Sequence, residues 1–307
     1  MKDKFLKLMV FMLVPVFVLS ITGNFGIVRY GLEKIQPSFS VNLYYLILGK
    51  DKLNSTPTND KIKIAEKTAI AHAGGGFDGL QYRNDMPSLN TNSKHYRFIE
   101  IDFLYTSDNR LVCLHDWAGS IKKIWGGKTT KVLTYKEFMA LAGENACTLA
   151  RLNKFLKENP NVFLVSDVKS DGNIKALAKI YIALTEVTHQ IIPQIYSPYE
   201  FFDVRDLGFK NIILTLYKSG LTNSSLNEHL NYLDLFAVTM PTRRASSELI
   251  KDLKNHRPLK IFTHTTNECS EAYRLFSIGV DGIYTDWLHQ KFINNDLASC
   301  KLNQLPN

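Results

Sequence analysis

The chain has 307 residues, 45% hydrophobic and 21% charged, with 37 Lys and Arg against 29 Asp and Glu for a formal net charge of +8. This composition excludes a disordered or fibrous protein. It fits one large domain with an appendage, since α/β barrels commonly fill roughly 200–250 residues as a single domain. The basic excess suits a solvated surface, or attraction to an anionic membrane or phosphate-bearing substrate. No long Lys/Arg run interleaved with aromatics points to nucleic acid.

The N-terminus opens Met1-Lys2-Asp3-Lys4-Phe5-Leu6-Lys7 and runs apolar from Leu8 to Ile21. A weaker continuation through Gly23, Phe25, Ile27 and Val28 makes the run about long enough to cross a bilayer. No small-x-small cleavage site follows, so an uncleaved anchor is expected rather than a signal peptide, whose removal would leave a secreted protein. Lys2, Lys4 and Lys7 precede the run and only Arg29 and Lys34 follow closely, which places the folded domain outside the cytoplasm, periplasmic or extracellular. Residues 1–29 are therefore expected to be the anchor and 30–65 a tether. The tether holds Pro37, Pro57 and an apolar patch at Leu43–Leu48, which suits the membrane surface or the underside of the domain. The folded domain is expected over 66–295 and a tail over 296–307.

Short apolar runs then recur with helical segments between most of them. Strands are expected near Ala69–Ala73, Phe98–Phe103, Val162–Val168, Ile191–Tyr196, Ile212–Tyr217, Leu235–Met240, Leu259–Thr265 and Gly282–Thr285. Helical spacing shows at Leu149, Leu152, Phe155 and Leu156, and Thr134 with Glu137 forms a capping box. Alternating strands and helices imply a parallel sheet, and eight repeats suggest closure into a (β/α)8 (TIM) barrel. A doubly wound open sheet is the alternative, but His72-Ala73-Gly74-Gly75-Gly76 lacks the spacing of a dinucleotide-binding turn. The four cysteines, Cys113, Cys147, Cys269 and Cys300, form no Cys-x-x-Cys pair, so neither a zinc site nor a dense disulfide framework is indicated. Cys113 sits in an apolar strand pattern and is expected to be a core thiol.

Catalytic groups of a barrel sit where strands end at its C-terminal face. The first strand ends in His72, and the second carries Glu100 and Asp102 on one face because strand side chains alternate. Two carboxylates inside a barrel repel each other and lose hydration unless a cation or proton compensates. Oxygen ligands suit a hard ion, Mg²⁺ or Ca²⁺. The turn-like Thr106-Ser107-Asp108-Asn109 and the run Leu111–Leu114 imply a strand returning beside the second one, delivering His115 near Glu100. Asp167 and Lys169 share a face at the end of the next strand. Such a group could neutralise a phosphodiester and supply an acid and a base near neutral pH.

In these motifs and their order the chain resembles the glycerophosphodiester phosphodiesterase family. The matching elements are His72, Glu100-Ile101-Asp102, Thr106-Ser107-Asp108-Asn109, His115-Asp116, Asp167-Val168-Lys169, Thr265-Thr266-Asn267-Glu268 and Gly279 through Asp286. Asn84 is similar to the family's asparagine after the first strand. The resemblance covers about residues 67–290. It implies a metal held by Glu100, Asp102 and Asp167, His72 and His115 as acid and base, and Lys169 and Asn84 as substrate-binding residues. It also implies attack by a substrate hydroxyl, giving a cyclic phosphate that is then hydrolysed.

Three departures stand out. Ala73 replaces the family's usual arginine, with Arg83 a candidate substitute from the following loop. Asp167 replaces a glutamate, and His264 stands where tryptophan is common, either lining the pocket or satisfied within the barrel. Trp117 and Trp125 are candidates for pocket walls or for packing. His95, His189, His229, His256 and His289 belong to no convergent pattern and are expected on the surface or on helices.

The expected activity is metal-dependent hydrolysis, outside the cytoplasm, of a glycerophosphodiester or a lipid-derived or glycan-linked phosphodiester. Two alternatives are a phospholipase D-like lyase that stops at the cyclic phosphate, and a catalytically silent barrel that binds a polyanionic envelope polymer or partner protein.

Overall fold

The computed structural model of the chain describes residues 37–52, 61–127, 131–169, 172–217 and 219–295. The expected anchor (1–29) and tail (296–307) lie outside them. Among the described residues no helix is long and apolar enough to cross a membrane.

In chain order the strands are β1 (Thr68–Ala71), β2 (Phe98–Tyr105), β3 (Leu111–Cys113), β4 (Phe163–Val168), β5 (Ile191–Ile195), β6 (Ile213–Thr215), β7 (Ala237–Pro241), β8 (Lys260–His264) and β9 (Gly282–Thr285). The sheet runs β1-β9-β8-β7-β6-β5-β4-β2 with β1 also paired to β2, so it closes into a parallel barrel of eight strands. This is the expected (β/α)8 fold. β3 is the returning strand, antiparallel to β2 with Phe103 opposite Cys113. Its turn ends in Asn109 at φ 60, a left-handed position that asparagine tolerates better than most residues.

The alternation of strand side chains decides what faces inward. Ile70, Phe98, Val165, Ile192, Ile213, Ala237, Phe262 and Tyr284, one from each barrel strand, belong to a single buried cluster. This layer fills the barrel, so polar side chains that continue the inward series beyond it collect at the C-terminal mouth. Two residues after Ile70 comes His72, after Phe98 comes Glu100 and then Asp102, and after Val165 comes Asp167.

The chain divides into two compact units. The barrel unit spans Pro57–Gly220 and Asp234 onward. The other pairs the helix Pro37–Ile47, from the expected tether, with the helix Asn223–Leu230. Within that small unit Tyr45 is fully buried, stacks on Tyr232 at 4.2 Å, and places its hydroxyl 2.9 Å from His229 Nδ1. His229 lies on a helix, one of the two expected settings, and burial pushes it down to about 3, so it is neutral and enclosed.

The cysteines differ from expectation. Cys113 is not a core thiol: it is bonded to Cys147, with Cα atoms 5.2 Å apart. The pairing could not be read from spacing because 34 residues separate the two. Their approach depends on β3 folding back over β2, and Cys113 N–H donates to the Cys147 carbonyl.

Candidate active site

A cleft of about 320 Å³ opens at the barrel mouth, and His72, Glu100, His115, Asp167 and Lys169 all line it. Glu100, Asp102 and Asp167 are buried, with ligand oxygens within 4.8 Å of one another. Register explains the meeting, since Asp102 lies opposite Asp167 across the β2–β4 pair. Lys169 reaches into the cluster, its Nζ 3.0 Å from Asp102 Oδ1 and 2.6 Å from Asp167 Oδ2. The Tyr196 hydroxyl donates to Asp167 Oδ1.

Three carboxylates face one ammonium here, and the imbalance shows in their acidity. Burial, followed by the charges of Asp102 and Asp167, pushes Glu100 well above the usual carboxylate range. Burial acts upward on Asp102 too, but Lys169, then His115 and His72, outweigh it and hold that carboxyl low. Lys169 is held high despite burial by Asp102 and Asp167. Glu100 Oε2 accepts the Ala73 N–H at 2.7 Å, whereas its buried Oε1 has no hydrogen-bond partner. Leaving such an oxygen dry and unpaired costs on the order of 1–3 kcal/mol, more when charged. Clustered oxygen donors, excess negative charge and an orphaned carboxylate oxygen suit a hard divalent cation.

The two histidines are prepared alike. His72 Nδ1 lies 3.2 Å from Asp286 Oδ1, and His115 Nδ1 lies 3.2 Å from Asp116 Oδ2. An ionised carboxylate only accepts hydrogen bonds, so Nδ1 carries a proton and Nε2 is left for a substrate. Asp286 is itself fixed by the Asn267 amide at 2.8 Å. Tyr82 stands between the two imidazoles, edge-on to both, with ring centroids 4.6 Å from His72 and 4.9 Å from His115.

Other sequence-predicted residues take different places. Asn84 is buried and does not line the cleft. Its amide donates to Asp102 Oδ2 at 2.8 Å and its carbonyl accepts the Asp102 N–H at 2.9 Å, so it holds the acid rather than touching the mouth. Arg83 does not replace the arginine absent at Ala73: it is buried against Asp85, Nη2 to Oδ2 2.6 Å, away from the cleft lining. Ala73 itself sits at φ 50 with its N–H turned to Glu100. His264 lines the cleft and bonds Thr239 Oγ1 through Nδ1 at 3.0 Å. Burial, then the positive charges of His72, Lys169 and Arg243, push it down to about 3. Trp117 and Trp125 pack on Phe138, not on the cleft. His289 stacks on His95 at 4.2 Å, apart from the site.

Sequence reasoning missed Tyr82, Tyr196, Gln194 and Arg243 in the lining. Gln194 and Tyr196 continue the inward series from Ile192, so the parity that found the acids could have found them. Tyr82 and Arg243 stand outside any strand and had no such signal.

A barrel mouth that combines an acidic cluster fit for a cation with two carboxylate-held imidazoles acts on anionic esters, which puts the protein among the barrel phosphodiester hydrolases. The family model of the glycerophosphoryl diester phosphodiesterases matches residues 76–289, well over half of the chain, and the chain belongs to that family. Solved structures with the same fold include a glycerophosphodiester phosphodiesterase from Parabacteroides distasonis, with 21% identity and TM-score 0.56 over 72% of this chain and 93% of that one. A Thermotoga maritima glycerophosphodiester phosphodiesterase gives 18% identity and TM-score 0.55 over 73% and 96%. An Oleispira antarctica phosphodiesterase, solved with its product sn-glycerol-3-phosphate, gives 17% and 0.58 over 71% and 92%. At these identities the likeness carries the fold alone. Comparison with curated protein sequences finds no match.

Proposed function

We propose that the chain is a metal-dependent glycerophosphodiester hydrolase in which Glu100, Asp102 and Asp167 hold Mg²⁺ or Ca²⁺ and His72 and His115 are the general acid and base. The observation that carries this reading is the shared mouth: two imidazoles with carboxylate-bound Nδ1 atoms beside one acidic cluster. When bound, the cation neutralises phosphate charge. One imidazole Nε2 accepts the proton of an attacking hydroxyl of the substrate as its oxygen bonds to phosphorus. The other donates a proton to the alkoxide that leaves. Water then opens the cyclic phosphate with the roles reversed. Lys169 adds positive charge beside the phosphate while bracing the two aspartates, and Asn84 acts through Asp102.

Family membership and the product held by the Oleispira antarctica relative support a glycerophosphodiester as the substrate class, and a lipid or glycan origin is part of the proposal. The test is phosphorus NMR of glycerophosphodiesters mixed with the full chain in detergent, with and without chelator. Chelator-sensitive release of glycerol phosphate, lost in His115→Ala, is expected. Turnover that survives either treatment would overturn the roles, and a cyclic phosphate that accumulates would favour the lyase.

We place the domain outside the cytoplasm, anchored through residues 1–29. Structural disulfides persist mainly in oxidising compartments, and Cys113–Cys147 supports that reading. Protease treatment of cells whose outer envelope has been permeabilised and whose cytoplasmic membrane is intact, followed by blotting for the barrel, should remove it; protection until the cytoplasmic membrane is lysed would count against this placement.

A further inference from the structure

We propose that Arg243 is a specificity-determining residue that selects diesters whose second alcohol carries an additional negative charge. The inference deepens the phosphodiesterase reading and rests on it. Around the closed sheet β7 lies four strands from β2 in either direction, so the two strands are diametrically opposed. β2 brings Glu100 and Asp102, while Arg243 follows β7 in the short helical turn Thr242–Arg244 and lines the cleft. A substituent that extends across the mouth from a phosphate seated at the acidic cluster meets that turn.

The wall it meets is otherwise neutral. Thr215, Tyr217, Pro241 and Thr265 carry no charge there, and His264 is held neutral with its Nδ1 on Thr239. The lining contains two permanent cations, and they are not equivalent. Lys169 is already spanned by Asp102 and Asp167 at 3.0 Å and 2.6 Å. Arg243 has no carboxylate partner among the described residues, and its positive field reaches His264. Its planar donor fork matches a phosphate or carboxylate. The two arginines anticipated near the reacting phosphate are both missing from it, through Ala73 and through the capture of Arg83 by Asp85. The uncommitted guanidinium has instead been placed at the far end of the cleft. A cationic alcohol such as choline meets repulsion there, a neutral one nothing, and a phosphorylated or carboxylated one a partner.

The experiment compares kcat/KM of the full chain for glycerophosphodiesters of choline, of glycerol and of glycerol phosphate. The wild type is expected to prefer the anionic alcohol over glycerol and glycerol over choline. Arg243→Gln should lower the anionic-to-neutral ratio about fivefold, the scale of a partly exposed ion pair. Arg243→Lys should restore most of it, and Arg243→Glu should reverse the order. Because the readout is a ratio, a general loss from poor folding cancels. A ratio unchanged in Arg243→Gln overturns the proposal. Equilibrium binding of the same three diesters to chelator-treated protein reads the same preference without turnover. An Arg243-dependent binding order with no hydrolysis by the wild type would sink the enzymatic reading and leave the selectivity standing. Equal affinities for the anionic and neutral diesters would sink the selectivity.

Discussion

On the β1–β2–β4 side of the barrel mouth, three carboxylates and a lysine lie against one another, and each imidazole has a carboxylate on its Nδ1. On the β6–β8 side, His264 reaches the same cleft but bonds a threonine hydroxyl, and the charge lining that wall is Arg243. In both halves barrel strands deliver polar residues by continuing an inward series past a packed apolar layer, and each half adds a residue from a connecting segment, His115 on one side and Arg243 on the other. What separates them is the partner of each group. His72 and His115 each keep a carboxylate on Nδ1, whereas burial, then the positive charges of His72, Lys169 and Arg243, push His264 down to about 3. Location at a strand end therefore marks a candidate, and the neighbour assigns its chemistry.

The largest expected break in this contrast comes from Glu100→Gln, which removes a charge from the crowded half. Activity should fall by roughly 10³-fold or more, on the scale of removing preorganised charge stabilisation. Isothermal titration with Mg²⁺ or Ca²⁺ should show weakened binding, and full activity with intact metal affinity would refute the cluster's role. His72→Ala sharpens the comparison with His264→Ala. The first should lower kcat by about 10²–10⁴-fold, the second by about tenfold or less. Equal losses would mean that the carboxylate partner does not distinguish them.

Tyr82→Ala should lower kcat by about tenfold through loosened imidazoles, with Tyr82→Phe keeping most activity because the ring, not the hydroxyl, meets both histidines. A Phe variant as slow as the Ala variant would instead point to the hydroxyl. The smallest effect lies outside the mouth. His229 has a folded pKa of about 3 against 6.5 for the free side chain. Its stabilising contribution is therefore complete above 6.5 and is lost as pH falls from 6.5 toward 3, because only the unfolded chain takes up the proton. Thermal unfolding midpoints should drop across that window, and His229→Gln should flatten the slope. An unchanged slope would show that His229 is not the group responsible.

Much of this was legible in the sequence because it depends on periodicity. The eight barrel strands, the returning β3 and the capping box at Thr134 follow local patterns. So does the common face of Glu100, Asp102 and Asp167, since alternation along a strand leaves an inward residue no other side to take. The segment after β1 was not legible. Ala73, Asp78, Tyr82 and Asn84 all adopt positive φ there, a conformation costing roughly 1 kcal/mol or more per residue that survives only where surrounding contacts enforce it. That path sends Arg83 to Asp85, turns Asn84 onto Asp102 and sets Tyr82 between the histidines.

The sequence alone determined which residues could face the barrel mouth, because strand parity is a local property of the backbone. Only the tertiary structure decided which of them touch. The pairing of Cys113 with Cys147, the bond from His264 to Thr239 and the position of Arg243 opposite β2 depend on chain closure between distant segments. No local spacing encodes where such segments meet.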